Sequence, residues 1–237
     1  MDISGPDFQG FGIWFIKIQK NAKDPFEETE ERISILQKMS SELKDFFKIS
    51  TIKIYLIKYP IVIINHKRNW EHFDHYYLPY KRKGYSSTNI MDMIFFELER
   101  HRKKDENIQL AGWECCGNVK IFYRKNDIIV EDWSPSTKQC GYNSILSFRL
   151  SNNPDQTYNL VVKTNSPIWF YGRPVWYKNK YRDTNPELAK LNHPKLEKII
   201  KILEKKFNGS INEGNCFSDT IDEKLVTKYG FKNDFEI

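Results

Sequence analysis

Several things that the chain has little of bound it first. Four cysteines in 237 residues, two adjacent at Cys115 and Cys116 and the others far off at Cys140 and Cys216, leave no regular disulfide framework, so reduced thiols are expected. No apolar run approaches the length of a membrane span; "IVII" at 61–64 is among the longest. The opening "MDISGPDFQG" has neither a basic flank nor an apolar core, which argues against a signal or transit peptide. A soluble cytoplasmic protein with no membrane partner is the expectation. Internal repeats, low-complexity tracts and a linker are also missing, so the chain reads as one domain over 1–237, with 1–10 and 210–237 as peripheral tails. Alanine and glycine are scarce against lysine, isoleucine, asparagine and tyrosine, a bias that an AT-rich genome would give. Part of the net charge of +6 is then compositional, and by itself that charge selects neither nucleic acid nor an acidic partner.

Catalytic signatures are missing in the same way. Gly10 and Gly12 have no third glycine and no Lys-Ser or Lys-Thr pair to cradle a phosphate, and neither a Gly-x-Ser-x-Gly elbow nor a His-Glu-x-x-His pair occurs. Pro154-Asp155 ahead of Lys163 approaches a restriction-type nuclease pattern. Val161, however, stands where the second carboxylate would ligate a cation. Glu131 and Asp132 with Lys138 make a looser set, read as strand-end charges facing water. Cys115 and Cys116 are reactive only if a neighbour lowers a pKa; on a strand, one would face the core and the other the opposite side. No cofactor is expected.

What is present is aromatic. With 40% hydrophobic residues, 16 Phe, 13 Tyr and 6 Trp, the chain can fill a core dominated by rings. Residues 11–18 read as a strand. A helix follows, capped by Asp24 with Pro25 in its first turn, Glu27, Glu28, Glu30 and Glu31 near its positive end, and an apolar stripe of Ile33, Leu36, Met39 and Leu43. Strands around 52–57 and 61–64 come next, so strand-helix-strand order predicts a crossover packed on a sheet, right-handed by rule. A second helix over 89–103 would be capped by Ser87 or Thr88 and would place Ile90, Ile94, Phe95 and Leu98 on one side. From 108 to 164 five short strands form an antiparallel meander, with turns at Gly117-Asn118, Asn126-Asp127, Ser134-Pro135 and Asn153-Pro154. Pro194, after Asn192 or His193, would start a helix carrying Leu196, Ile199, Ile200, Leu203 and Phe207, ended by Gly209; a short helix near 222–229 would close the chain. The fold class expected is α+β: a largely antiparallel, mixed sheet packed by two or three helices in a single domain.

Two stretches carry functional candidates. "NWEHFDHYYLPYKRKGYSS" at 69–87 holds Trp70, Tyr76, Tyr77, Tyr80, Arg82 and Tyr85; "PIWFYGRPVWYKNKYRD" at 167–183 holds Trp169, Tyr171, Arg173, Trp176 and Tyr177. Tyr, Trp and Arg are what protein interfaces favour at their centres, and loops on a rigid sheet suit that role. Two other answers stay open. Lys81, Arg82 and Lys83 beside the tyrosines could hold and stack nucleic acid. His72, Asp74 and His75, with His66 upstream, could hold a metal ion for a nuclease-like enzyme.

The layout of strand, long helix with a leucine stripe, tryptophan-marked meander and Gly141-x-Asn143-Ser144 leading into "ILSFRL" resembles bacterial immunity proteins of polymorphic toxin systems, within the immunity-protein-52-like group. The likeness covers residues 11–165 in outline, and the C-terminal third has no counterpart in it. It implies an α+β protein that binds a cognate protein toxin domain and blocks it without catalysis. An inhibitor of a nuclease would imitate phosphate with an acidic face; in this basic chain either Glu27 to Glu31 is that face or the toxin is not a nuclease, and the cluster also reads as a helix N-terminus dressed with carboxylates.

Overall fold

The computed structural model describes residues 12–58, 90–134, 144–153, 155–169, 185–211, 214–215 and 226–232, and the main chain of five short strands at 63–64, 67–68, 73–79, 175–177 and 180–182. Strand β1 (Gly12–Gln19) leads into helix α1 (Pro25–Glu42) and strand β2 (Phe47–Lys58). Asp24 caps α1 as its side chain accepts from the amides of Phe26 at 2.8 Å and Glu27 at 2.9 Å, and Pro25 fills the first position, where no amide donor is needed. The expected stripe of Ile33, Leu36, Met39 and Leu43 is buried.

β2 and β1 belong to one eight-stranded sheet in the order β12, β1, β9, β8, β6, β2, β5, with β7 paired to β6. Here β5 is Phe73–Pro79, β6 Ile108–Lys125, β7 Ile128–Trp133, β8 Leu146–Asn152, β9 Thr157–Thr164 and β12 Ser210–Ile211. Each of the pairings β1-β9, β9-β8, β8-β6 and β6-β2 is antiparallel. Four successive reversals leave β1 and β2 parallel, as the α1 crossover requires, and the later meander fills the three places between them. The fold is α+β. Helices α2 (Ile90–Arg102) and α3 (Pro186–Lys206) join α1 in packing against the sheet: their apolar residues form one cluster with Trp14, Ile16, Ile54, Trp113, Phe148, Leu160 and Val162.

Several elements differ from the sequence expectation, each for a local reason. Gly117-Asn118 is no turn: β6 runs unbroken from 108 to 125, and Gly117 sits where a Cβ would overlap the carbonyl oxygen of Lys48, beside the register shift between Ile49 and Thr51. That glycine permits backbone approach rather than reversal. The Asn126-Asp127 hairpin is as expected, with both residues left-handed at φ 49° and 62°, the form that suits a two-residue connection.

α3 begins two turns before Pro194, capped by Asn185, whose side chain accepts from the Leu188 amide at 3.0 Å. Asn192 is not a cap. It is fully buried and clasps β6, accepting from the Phe122 amide and donating to the Phe122 carbonyl, both at 2.8 Å, on a stretch of strand edge that would otherwise leave both groups unpaired.

On α2 the buried side is Met93, Ile94, Glu97, Leu98 and His101, a spacing that leaves Phe95 outside at 44% exposure, against expectation. At 61–64, only Ile63–Ile64 forms a described strand (β3), paired with Lys67–Arg68 (β4). Strands β10 (Val175–Tyr177) and β11 (Lys180–Arg182) pair with each other. Near 222–229, in place of a helix, Val226–Thr227 (β13) pairs with Gly230–Phe231 (β14), and Gly230 at φ 138° takes a conformation that helices exclude. The described residues of this end, 210–211, 214–215 and 226–232, include several packed against β1. Ile211 pairs with Ile16, Phe231 packs edge-on against Trp14, and Trp14 Nε1 donates to the Thr227 carbonyl at 2.8 Å. Residues 1–10 lie outside the described ones.

Candidate partner-binding face

Strand alternation sends one set of side chains to the helices and the other to the opposite side of the sheet. That opposite side is built by register. Phe15, Val161, Arg149, Glu114 and Lys53 stand in one row across β1, β9, β8, β6 and β2, a span of roughly 19 Å at one strand spacing per step. The row continues to the position of Tyr77 on β5. A second row runs through Ile13, Lys163, Ser147, Cys116 and Thr51; a third contains Lys17, Asn159 and Ser151. Phe15, Lys17, Lys53, Tyr55, Glu114, Arg149, Asn159, Val161 and Lys163 are all half-buried, whereas Cys116, Ser147 and Thr51 are buried.

The centre of this face is a coupled cluster. The Tyr55 hydroxyl donates to Glu114 Oε2 at 3.0 Å, and the Lys53 ammonium and the Arg149 guanidinium approach its ring at 5.1 and 5.4 Å. Each cation sits within the range where a ring quadrupole attracts it. Gly112 pairs with Tyr55, and a Cβ there would overlap the Leu150 carbonyl of β8, so this glycine permits the close approach of β6 and β8. Every member of this cluster has further partners within the protein. At the edge of the face, Lys17 pairs with Asp155 at 3.1 Å, and the hydrogen bond from Thr157 followed by that from Lys17 holds the Asp155 carboxyl below its ordinary range.

The groups with nuclease-like spacing are spent elsewhere. Asp155 is taken by Lys17, and Glu131 pairs with Lys195 of α3, whose hydrogen bond keeps the carboxyl low. Among the described residues no group of three or more His, Cys, Asp or Glu is placed to hold a metal ion. Cys115 and Cys116 divide between the two sides as expected, opposite Phe148 and Ser147, and both are 0% exposed. Burial first, then Cys116 and Glu114, raise the Cys115 pKa well above the usual thiol value, so it is held as a thiol rather than a nucleophilic thiolate.

Three of the four glutamates at the acidic start of α1, Glu27, Glu28 and Glu31, are committed to the fold, and Glu30 is exposed. Glu28 pairs with Lys20 and with Arg32. The Arg32 guanidinium is 0% exposed, and it donates to the Leu110 carbonyl at 2.7 Å and to Asn152 at 2.8 Å. Glu31 accepts from the Tyr158 hydroxyl at 2.9 Å and from the Asn21 and Ala22 amides; burial alone would raise its pKa, yet these hydrogen bonds hold it below the ordinary value. Glu27 accepts from the Lys23 amide at 2.7 Å.

Family models, curated proteins and solved structures were all compared with the chain, and none gives a significant match.

The residues singled out from the sequence fall into three groups. Trp169 is corrected: it is 0% exposed, in the turn Pro167–Trp169 that packs on α3, and belongs to the core rather than to a binding rim. A ring of this size next to an apolar helix gains more from burial than from display. Tyr76 and Tyr77 occupy β5 opposite Ile54 and Lys53; Trp176 and Tyr177 occupy β10 opposite Tyr181 and Lys180. Asp74 and His75 stand opposite Leu56 and Tyr55. Trp70, Tyr80, Arg82, Tyr85, Tyr171, Arg173, His66, His72, Cys140 and Lys138 lie outside the described residues, as do Gly141 and Asn143. The cluster of Lys53, Tyr55, Glu114 and Arg149 was missed in the sequence, although its signal was there: polar residues at every second position of "STIKIYLIK" and "SFRLS".

Proposed function

We propose that this protein is a non-catalytic binder that neutralises a cognate protein toxin domain, as its sequence resemblance to immunity proteins implies. The observation that carries this reading is the sheet face away from the helices. It presents half-buried rings and opposed charges across five strands, which is how a surface that recognises a folded partner is composed. Glu28, Glu131 and Asp155 are held in ion pairs and Glu27 and Glu31 accept hydrogen bonds within the fold, which favours recognition through the sheet over an acidic helix start.

Coexpression with toxin domains encoded beside its gene tests the proposal. The expected result is restored growth and a one-to-one complex on gel filtration; a toxin that kills unhindered and leaves the protein unbound overturns it. A second reading, nucleic-acid binding, is favoured by the four cations Lys17, Lys53, Arg149 and Lys163 on the same face. It requires retention on single-stranded DNA at low salt that fades steeply as ionic strength rises.

A further inference from the structure

The hairpin of β13 and β14 rests on α3 through a contact that leaves one polar atom unmatched. His193 of α3 is half-buried, and its Nδ1 is sealed from water with no hydrogen-bond partner among the described residues. The edge of the ring that carries Nδ1 meets Gly230 of β14: a Cβ on that glycine would lie 3.3 Å from His193 Cε1 and 3.5 Å from Nδ1. On the other edge, Nε2 stands 3.9 Å from Glu197 Oε2, too far for a hydrogen bond. A neutral imidazole can keep its single ring proton on the Glu197 side and turn a bare lone pair to Gly230. An imidazolium carries a proton on both nitrogens, so it would press a charged N–H without an acceptor into the hairpin.

The charges nearby do not supply that acceptor. On α3, Glu197 pairs with Lys201 at 2.5 Å, and Lys190 is exposed. From the hairpin, Lys228 and Tyr229 both turn to Glu204, at 3.0 and 2.7 Å, and Lys232 just beyond β14 is exposed. What the hairpin covers is Trp14, which is 0% exposed, donates from Nε1 to the Thr227 carbonyl at 2.8 Å and meets Phe231 edge-on at 5.5 Å.

We infer that His193 is an acid-sensitive latch: a proton added to its ring loosens the β13–β14 hairpin from α3 and uncovers Trp14 on β1. Burial holds the His193 pKa below its ordinary value and outweighs the opposite pull of Glu197. A base depressed in the closed state takes its proton more readily in the open one, so the hairpin opens as pH falls below the ordinary imidazole range. The Glu204 clasp yields later. Burial would raise that carboxyl, yet the hydrogen bonds from Tyr229 and Lys228 hold it below its usual value, so its contribution persists until the pH is more acid still. The latch is independent of what the sheet face binds.

The test follows the full chain by nuclear magnetic resonance between about pH 7.5 and 5.5, across the ordinary imidazole range. The His193 ring signals report its titration, and hydrogen exchange corrected for its intrinsic pH dependence reports opening. Protection of the Thr227 to Phe231 amides and of the Trp14 indole N–H is expected to fall at least about tenfold, with the midpoint of the His193 ring, while amides of Phe148 and Leu160 in the central strands keep theirs. His193→Gln, which has no proton to gain, should keep the hairpin closed over the same range. A ring that titrates while the hairpin stays protected overturns the inference. So does an equal fall in His193→Gln, or a fall shared by the central strands, which would mark general unfolding. Where His193→Gln does not fold, the wild type decides by itself: separate midpoints for ring and hairpin sink the latch.

Discussion

The two sides of the central sheet are made by the same strands and obey different chemistry. Toward the helices, alternate residues of β1, β9, β8, β6 and β2 are Ile16, Leu160, Phe148, Cys115 and Ile52 and their neighbours, all buried in one cluster. Away from the helices, the residues between them are Lys17, Val161, Arg149, Glu114 and Lys53, half-buried and paired through charge and ring contacts. Polar groups do occur on the helix side, and the contrast lies in how they are held. Arg32 is held by Glu28, Asn152, the Leu110 carbonyl and the Tyr158 ring, because a charge without water needs partners; its two terminal nitrogens are met, whereas Nε has no hydrogen-bond partner. Arg149 on the other side is only half-buried and lies over the Tyr55 ring. Stability should therefore reside mainly on one side and recognition on the other.

Substitutions can break that division, and the largest effect belongs to Arg32. Arg32→Ala leaves Glu28 with Lys20 alone, unpairs the buried Leu110 carbonyl and should lower unfolding free energy by about 3 kcal/mol or more, measured by denaturant titration. Asn192→Ala removes both partners of the Phe122 backbone groups and should cost about 2 kcal/mol or more by the same assay. Gly117→Ala forces a methyl group against Lys48 and should cost about 1–3 kcal/mol, with the loss reduced if the Ile49/Thr51 bulge can widen.

On the other side the numbers should shrink. Tyr55→Phe deletes a hydrogen bond at a half-buried site and should change stability by about 1 kcal/mol or less, while Arg149→Ala should weaken partner binding by about 2 kcal/mol if it anchors the contact, read by calorimetry. An equal loss of fold stability at Arg32 and Arg149 would end the comparison. The smallest effect is electrostatic. Because the Glu31 carboxyl is held below its ordinary range in the folded state, its contribution is present above the unfolded value and is lost as pH falls through the folded one. Thermal stability should drop on acidification below the usual carboxylate range, and Glu31→Gln should flatten that drop.

Much of this architecture was legible before any coordinates. Asp24-Pro25 with its acidic first turn placed α1 because capping is a local event, and Asn126-Asp127 placed a hairpin because both residues tolerate left-handed φ. Gly117 misled because a glycine that permits close strand approach and one that permits a turn leave the same letter in the sequence. Pro194 misled because Asn185-Pro186 offers an equal start eight residues earlier, and only the Phe122 edge, 70 residues away in the chain, explains why Asn192 lies inside the helix. Trp169 was read as displayed because composition cannot tell a ring on α3 from a ring in water. The candidate face suffered the opposite fate: Lys53, Tyr55, Glu114 and Arg149 come from three strands, and each looks alone like an ordinary wet position.

The order of apolar and polar residues along the chain determined by itself where most of the helices and strands lie and that each strand would have two unlike sides, because those outcomes depend on neighbours a few residues apart. Which strands lie side by side was settled only in the tertiary structure. β6, β8 and β9 enter between β1 and β2, and that insertion alone sets Arg149, Glu114 and Lys53 in one row. The reason is that register is a long-range property: it is fixed when buried side chains from distant segments find a common packing, and the charges on the other side are carried into place with them.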